Sequence, residues 1–376
     1  MAISIKRVLS NSIFVLGCIY SAVYLLGCLT PYISPASFYP LTFLALLFPY
    51  LLLGMIVWLV IVLIFYRKKT WIFLLLLAMG FQNISTVFAF RTDKQFVRQK
   101  DAKTIRVLSW NVQDFLDSQY HTDTVGNKRR DMMAFIHDLD ADIVCIQDFT
   151  EKTSPAYRSC IKDVIAAGNF PYYFFSRDFT QENYYAFSEY GTAIFSRFPI
   201  VDSGRVVYPG NRFPESLAYA DIKMGNDTVR VHNTHLRSMY LKFVADTANK
   251  DEFIKDELNF LGEHPQLHDR LRHYDLQHIA QVQVAKPFMD ACRHPYIFCG
   301  DINSVPSSYI YHRLSKGLKD AFVAKGSGVG GTYDGITPTL RIDVILMSKQ
   351  FKPVQYYSPR FHASDHFPVV TDMQLH

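Results

Sequence analysis

Asp142-Ile143-Val144-Cys145-Ile146-Gln147-Asp148 is the stretch on which the fold turns. It is a short apolar strand that finishes on polar groups, bounded by carboxylates. The same grammar recurs on both sides of it. Upstream stands Leu108-Ser109-Trp110-Asn111, and downstream stand Asn233-Thr234-His235-Leu236, Gly300-Asp301-Ile302-Asn303 and Ser364-Asp365-His366. Taken singly, each has an ordinary explanation: a turn Asn, a capping Asp, a hydrogen-bonded core His. Together, a series of strands that each present Asn, Asp or His at one end points to a convergent site.

Between these strings, short β-rich runs alternate with helical patterns. Strands are expected at 105–110, 143–147, 172–175, 192–196, 218–224, 229–234, 296–299, 342–347 and 369–373, with helices near 128–139, 158–167 and 270–292. Gly225-Asn226-Asp227 between two of these runs is a hairpin signal. The polar segment 240–268 has the character of an insertion beside a site. The alternation predicts an α/β class for residues 105–376 as one unit, long enough to bury a substantial core.

The donors at the strand ends are carboxylate and amide oxygens plus imidazole. Such a set suits a hard cation, Mg²⁺ or Mn²⁺, and no HExxH motif supports a zinc peptidase. The six Cys residues include no CxxC pair, which excludes a disulfide scaffold or zinc ribbon. The net charge of +5 is unevenly placed. Residues 1–100 hold 9 Lys+Arg against 1 acid, and residues 101–376 hold 30 against 33. The α/β part is therefore slightly acidic, which does not indicate strong non-specific binding of nucleic acid.

The first ninety residues follow a different rule. No Asp, Glu, Lys or Arg occurs from Val8 to Tyr66, Arg67-Lys68-Lys69 follow, and a second uncharged run extends from Thr70 to Phe90. A membrane-spanning helix needs about 20 apolar residues. The division predicts a membrane domain over 1–90 with three transmembrane helices, about 10–30, 41–66 and 70–90, and a juxtamembrane linker over 91–104. A signal peptide has only one shorter apolar region, and a soluble helical core rarely runs so far without a charge. Three spans put Lys6, Arg7 and Arg67–Lys69 on one side. That places the large domain on the non-cytoplasmic side, against the weaker contrary pull of Arg91, Lys94, Arg98 and Lys100.

The order of the five strings resembles the endonuclease/exonuclease/phosphatase superfamily, over about residues 104–374. Tyr190-Gly191-Thr192-Ala193-Ile194-Phe195-Ser196-Arg197-Phe198-Pro199-Ile200 and Arg341-Ile342-Asp343-Val344-Ile345 add to the likeness. The resemblance implies a four-layer sandwich of two packed mixed β-sheets flanked by helices, and a metal-dependent phosphoester hydrolase. Position by position, it implies that Asn111, Asp148 and Asp365 serve the metal. It implies that Asp301 and Asn303 orient the attacking water and the scissile phosphate. His235 would contact the phosphate or transfer a proton, and Asp343 would fix the tautomer of His366. The family usually has Glu where this chain has Asp148, one methylene shorter. The expected protein is thus a membrane-anchored nuclease, phosphodiesterase or phospholipase-like hydrolase; the alternative is a catalytically weakened binding or scaffold module on the same fold. Its implied partners are a phosphoester substrate (nucleic acid, lipid head group or small phosphodiester) and the lipid bilayer, with no protein partner indicated.

Overall fold

The computed structural model describes residues 5–91, 96–116, 123–153, 158–183, 186–210, 214–239, 266–335 and 337–376. Most of the expected insertion at 240–268 and part of the expected linker lie outside the described residues. In chain order the strands are β1 (Ala89–Phe90), β2 (Ile105–Asn111), β3 (Ile143–Lys152), β4 (Tyr172–Asn183), β5 (Ala186–Ser196), β6 (Ile200–Val207) and β7 (Ser216–Met224). They continue with β8 (Asp227–His235), β9 (Tyr296–Asp301), β10 (Lys319–Asp320), β11 (Ser327–Gly328), β12 (Asp343–Met347), β13 (Phe351–Tyr357) and β14 (Val369–Leu375).

Two six-stranded sheets form, ordered β13-β14-β2-β3-β5-β4 and β10-β12-β9-β8-β7-β6. Each is mixed, because each has one parallel pair, β2 with β3 and β8 with β9. Alternation along the strands builds the layers. Val107, Ile143, Cys145 and Ile194 of the first sheet face Ala220, Val231, Cys299 and Ile345 of the second. The opposite faces are covered by helices. Leu108, Trp110, Val144 and Phe195 pack with Met132, Ile136 and Val164 from the helices Asp123–Leu139 and Cys160–Gly168. Phe298, Val344 and Leu346 pack with Ile279, Val282 and Leu314 from Leu267–Asp290 and Tyr309–Ser315. The hairpin is formed as expected, with Met224 opposite Asp227 and Gly225 at φ +61°, where a residue without Cβ sits most at ease.

Five described strands escaped the sequence pattern: the two-residue β1, β10 and β11, and the longer β6 and β13. β6 is an edge strand whose side chains are mostly exposed or half-buried, and Asp202, Ser203, Gly204 and Arg205 leave it no apolar signature. β13, also at an edge, carries Pro353 at a register shift.

The N-terminal segment differs from the three expected spans. Its helices are Ile5–Cys28, the short Pro35–Phe38, Leu41–Phe65 and a broken pair, Arg67–Met79 and Phe81–Val87, bent by 58°. Among the described residues only Leu41–Phe65 is by itself long and apolar enough to cross a membrane, and the bent pair qualifies only if taken as one span. The break falls at Gly80, beyond which Gln82, Asn83, Ser85 and Thr86 turn the run polar. Asn83 Nδ2 donates to Gly27 O at 3.1 Å, an internal partner for a buried amide.

This segment is seated directly on the α/β unit. Ser307 Oγ donates to Ala45 O at 2.7 Å, and Thr30 Oγ1 donates to Ser307 O at 2.6 Å. Ala45 shares a buried cluster with Val305, Leu340 and Ile342, and Leu46 packs against it. Met239, Leu271 and Tyr274 are covered by Phe43 and Leu46. Buried Arg341 donates to Asp320 at 2.7 Å and to Thr86 O at 2.9 Å, and β1 pairs with β11. Phe14, Tyr66 and Lys69 meet elsewhere: the two rings lie 5.8 Å apart and the ammonium stands 3.7 Å from the Phe14 centroid.

Deleting residues 1–90 uncovers this apolar seam and strips Arg341 of an acceptor. Each uncovered large side chain forfeits up to about 1.5–3 kcal/mol. The deleted form is therefore expected to unfold at lower temperature than the full chain in detergent and to self-associate. Thermal unfolding and size-exclusion chromatography check this, and a monodisperse fragment of unchanged Tm would show the seam to be energetically idle.

Candidate active site

Register explains why the polar strand ends meet. In the parallel pairs, Asn111 lies opposite Gln147, and His235 opposite Asp301. Antiparallel β12 then places Asp343 opposite Asp301. β14 starts beside the end of β2, with Val369 opposite Ser109, so the preceding Ser364-Asp365-His366 turn arrives at the same edge. All the sites predicted from the sequence lie at this one rim of the two sheets.

Asp301 is the hub. It is fully buried, and its Oδ1 accepts the backbone N–H of Asn303 at 2.9 Å. Its Oδ2 accepts from Asn111 Nδ2 at 3.0 Å and faces His235 Nε2 at 3.5 Å and His366 Nε2 at 3.6 Å. Asn111 Oδ1 takes the N–H of Gln113 at 3.0 Å and keeps a second lone pair. Asn303 sits at φ +45°, a left-handed conformation that Asn tolerates, and its Nδ2 donates to Leu236 O at 2.8 Å.

Asp343 and His366 form a couple. His366 Nδ1 lies 3.1 and 3.0 Å from the two carboxylate oxygens of Asp343, both residues being buried. Burial alone would push the imidazole toward neutrality. Asp343, Asp301 and Asp365 outweigh it and hold the His366 pKa up at about 10, so the ring is an imidazolium at neutral pH. The resemblance implied an imidazole whose tautomer Asp343 fixes, and this environment makes it foremost a source of positive charge.

Asp148 lies where β3 bulges between Ile146 and Phe149 against β5. Its φ of +52° is left-handed, and bulges re-aim side chains beside active sites. Asp accepts this conformation more readily than Glu, which gives the shorter residue a backbone reason. Burial, then the Asp365 charge, with smaller contributions from Asp301 and Glu215 against His366, raise its pKa to about 7. A carboxyl destabilised in this way is one that a bound cation would return to its ionised form, and the surrounding oxygen donors fit a hard divalent ion. Asp301, Asp343 and His366 also come within 4.8 Å of one another. Because Asp343 is already spent on His366, that trio is better described as a carboxylate–imidazole relay than as a cage for an ion.

Several supporting residues, most of them inside the quoted strings, were given no role from the sequence. Gln147 Nε2 donates to Ser109 Oγ at 3.0 Å and to Asn233 Oδ1 at 2.7 Å, while Asn233 Nδ2 donates to Ile146 O and Ala193 O, both at 2.9 Å. This amide pair ties the two sheets together beneath the site. Trp110 Nε1 pins the His366 carbonyl at 2.9 Å, and Ser364 Oγ holds both Asn111 O and the His366 N–H. Tyr333 bridges to His366 through the backbone, with ring centroids 4.9 Å apart. Buried His278 spans Arg237 O at 2.7 Å and Ser304 Oγ at 3.3 Å.

A family model described as endonuclease/exonuclease/phosphatase family matches residues 108–366, a span that begins at β2 and ends on His366. The chain belongs to the endonuclease/exonuclease/phosphatase family. Members of this family are phosphoester hydrolases, nucleases and phosphatases among them, and typically use a divalent metal. A second model, described as a domain of unknown function, matches residues 10–87. Among solved structures, an endonuclease/exonuclease/phosphatase from Beutenbergia cavernae is similar at 20% identity and TM-score 0.51, over 73% of this chain and 72% of that one. A family protein from Bacteroides thetaiotaomicron is similar at 17% identity and TM-score 0.50, over 73% and 98%. At these identities the likeness is one of fold. No curated protein sequence matches the chain.

Proposed function

We propose that this family member is an active, membrane-attached, divalent-metal-dependent phosphoester hydrolase. The observation that carries it is the intact rim: Asp301 facing Asn111, His235 and His366, with His366 held in turn by Asp343. Asp301, with Asn303, orients the attacking water and takes up its proton. His235 and the His366 imidazolium face the phosphoryl oxygens, where negative charge builds. Mg²⁺ or Mn²⁺ held by Asp148, Asp365 and Asn111 would add Lewis-acid stabilisation of the same oxygens. The test is hydrolysis of bis(p-nitrophenyl) phosphate by the full chain with Mg²⁺, Mn²⁺ or EDTA. Binding without turnover under every metal condition would favour a scaffold module instead.

Metal titrations assign Asp148. Asp148→Ala is expected to raise the metal concentration for half-maximal activity steeply. Wild type should favour Mn²⁺ over Mg²⁺ at low metal, because Mn²⁺ generally binds N/O sites more tightly. Asp148→Glu gains reach but is strained by the left-handed backbone, so it should keep Mg²⁺ use at some loss of Tm. An unchanged metal requirement and kcat in Asp148→Ala would remove it from the site.

Membrane attachment through residues 1–90 rests on the uncharged runs and on Leu41–Phe65. Residues 30, 45 and 86 touch the α/β unit, whereas Phe14, Tyr66 and Lys69 group together at the opposite end of the helix Leu41–Phe65 from Ala45. This arrangement supports the N-terminus and the Arg67–Lys69 turn on one side and the hydrolase, over residues 105–376, on the non-cytoplasmic side. Protease added to cells whose outer barrier is permeabilised should digest the hydrolase. Protection until the anchoring membrane is breached would reverse the topology.

A further inference from the structure

The seam between the N-terminal helices and the α/β unit falls on the segments that carry the active site. Val305 and Ser307 follow Asn303 by two and four residues, and Ile342 immediately precedes Asp343. Tyr333, whose ring lies against His366, packs on the cluster formed by Ala45, Val305, Leu340 and Ile342. On the helix Leu41–Phe65, contacts among the described residues lie near its beginning. Ala45 O accepts from Ser307, Leu46 packs on both buried clusters of the seam, and the Tyr50 hydroxyl pairs with Thr337 Oγ1.

The position of that contact along the helix locates the site relative to a bilayer. Leu41–Phe65 has no charged residue, and Leu53, Val57, Val60, Leu63 and Ile64 are all exposed. Arg67, Lys68 and Lys69 close its far end and mark one membrane surface. A hydrocarbon core of about 30 Å takes up about 20 helical residues. Counted back from Phe65, that stretch ends at Leu46. The contacts of Ala45 and Leu46 therefore sit where hydrocarbon gives way to head groups, with Tyr50 about one helical turn deeper, and Tyr333, Asp343 and His366 stand beside this end of the helix. Residues 101–376 hold 30 Lys+Arg against 33 acids, a balance that does not favour a polynucleotide over a lipid.

From this geometry, and resting on the reading of the chain as a membrane-attached phosphoester hydrolase, we infer that its substrate is the phosphoester head group of a lipid that stays in the bilayer. In the reaction, the oxygen of water bonds to phosphorus and the phosphorus–oxygen bond to the leaving alcohol breaks. The water's proton passes to Asp301, and the departing alkoxide oxygen takes a proton from the site. One product remains lipid-bound and the other is released to water.

The experiment uses the full chain reconstituted into vesicles of phosphatidylcholine doped in turn with phosphatidylglycerol, phosphatidylethanolamine, phosphatidylinositol 4-phosphate or sphingomyelin. Products are read by mass spectrometry. Bis(p-nitrophenyl) phosphate, dihexanoyl analogues below their micellar concentration, and single- and double-stranded DNA and RNA oligonucleotides are assayed alongside. The expected result is hydrolysis of bis(p-nitrophenyl) phosphate and of at least one vesicle lipid, with oligonucleotides intact. Because the enzyme and a bilayer lipid share one surface, the lipid's kcat/KM should exceed that of its dihexanoyl analogue by on the order of 10²-fold. Turnover of bis(p-nitrophenyl) phosphate with oligonucleotides cleaved and every lipid intact would overturn the inference while leaving the hydrolase reading standing. So would turnover of that small diester alone, or equal rates on bilayer and dihexanoyl lipids. Failure on every probe would overturn the hydrolase reading, and release of the protein from membranes by alkaline carbonate would overturn the attachment, each taking the inference with it.

Discussion

Asp301→Asn is expected to lower kcat by about 10²-fold or more, roughly 3 kcal/mol of transition-state stabilisation, with the fold retained. The amide has the same shape, and it leaves the main-chain bond from the Asn303 N–H a carbonyl acceptor. What disappears is the charge. Asp301 Oδ2 faces one amide donor and two imidazole nitrogens within 3.6 Å, and a neutral group there neither accepts a proton from water nor holds the imidazoles in place. The kcat on bis(p-nitrophenyl) phosphate, with circular dichroism and thermal unfolding as controls, is the measurement. A variant that keeps half the wild-type kcat, or one that is inactive because it is unfolded, would not sustain the assignment.

The second large effect concerns the Asp343–His366 couple. Asp343→Asn and His366→Gln are each expected to remove most of the activity, and the double variant to lose little more. Residues that act as a unit are strongly non-additive. The physical basis is that Asp343 contributes through the ring it holds: its two oxygens lie 3.0 and 3.1 Å from His366 Nδ1. Without the carboxylate the ring loses both its orientation and the charge that keeps it an imidazolium despite burial. Without the ring, the carboxylate has nothing to position. A double-mutant cycle decides this, and fully additive losses would mean that the two residues act separately. Asp343 lies in an entirely buried strand, so each variant also needs an unfolding curve to separate lost chemistry from lost stability.

The strands that carry the site were legible because their signal is local. An apolar run such as Ile143-Val144-Cys145-Ile146 shows its own burial and, at Gln147 and Asp148, its polar rim, although β3 itself continues past the bulge to Lys152. Trp110-Asn111, Thr234-His235 and Gly300-Asp301 show the same at their own strand ends. Asn111, His235, Asp301, Asn303 and His366 were therefore nameable before any pairing was known, whereas Asp343 came only with the family likeness, which also linked them in order.

Pairing itself is not written in such runs, because an apolar face specifies that it must be covered and leaves open by what. Tertiary structure alone decided that β12 runs antiparallel to β9, which sets Asp343 against Asp301, and that Gln147 and Asn233 join the sheets under the site. It decided the left-handed bulge at Asp148, since a register shift belongs to two strands at once. It also decided the fate of the N-terminal apolar runs. Sequence determined that residues 8–66 would be uncharged and helical in length. The break at Gly80 lies against Tyr24 and Cys28 of the first helix, and the seating of Ala45 and Leu46 on the loops beside Asn303 and Asp343 arises from contacts between residues some 260 positions apart, such as Ser307 with Ala45.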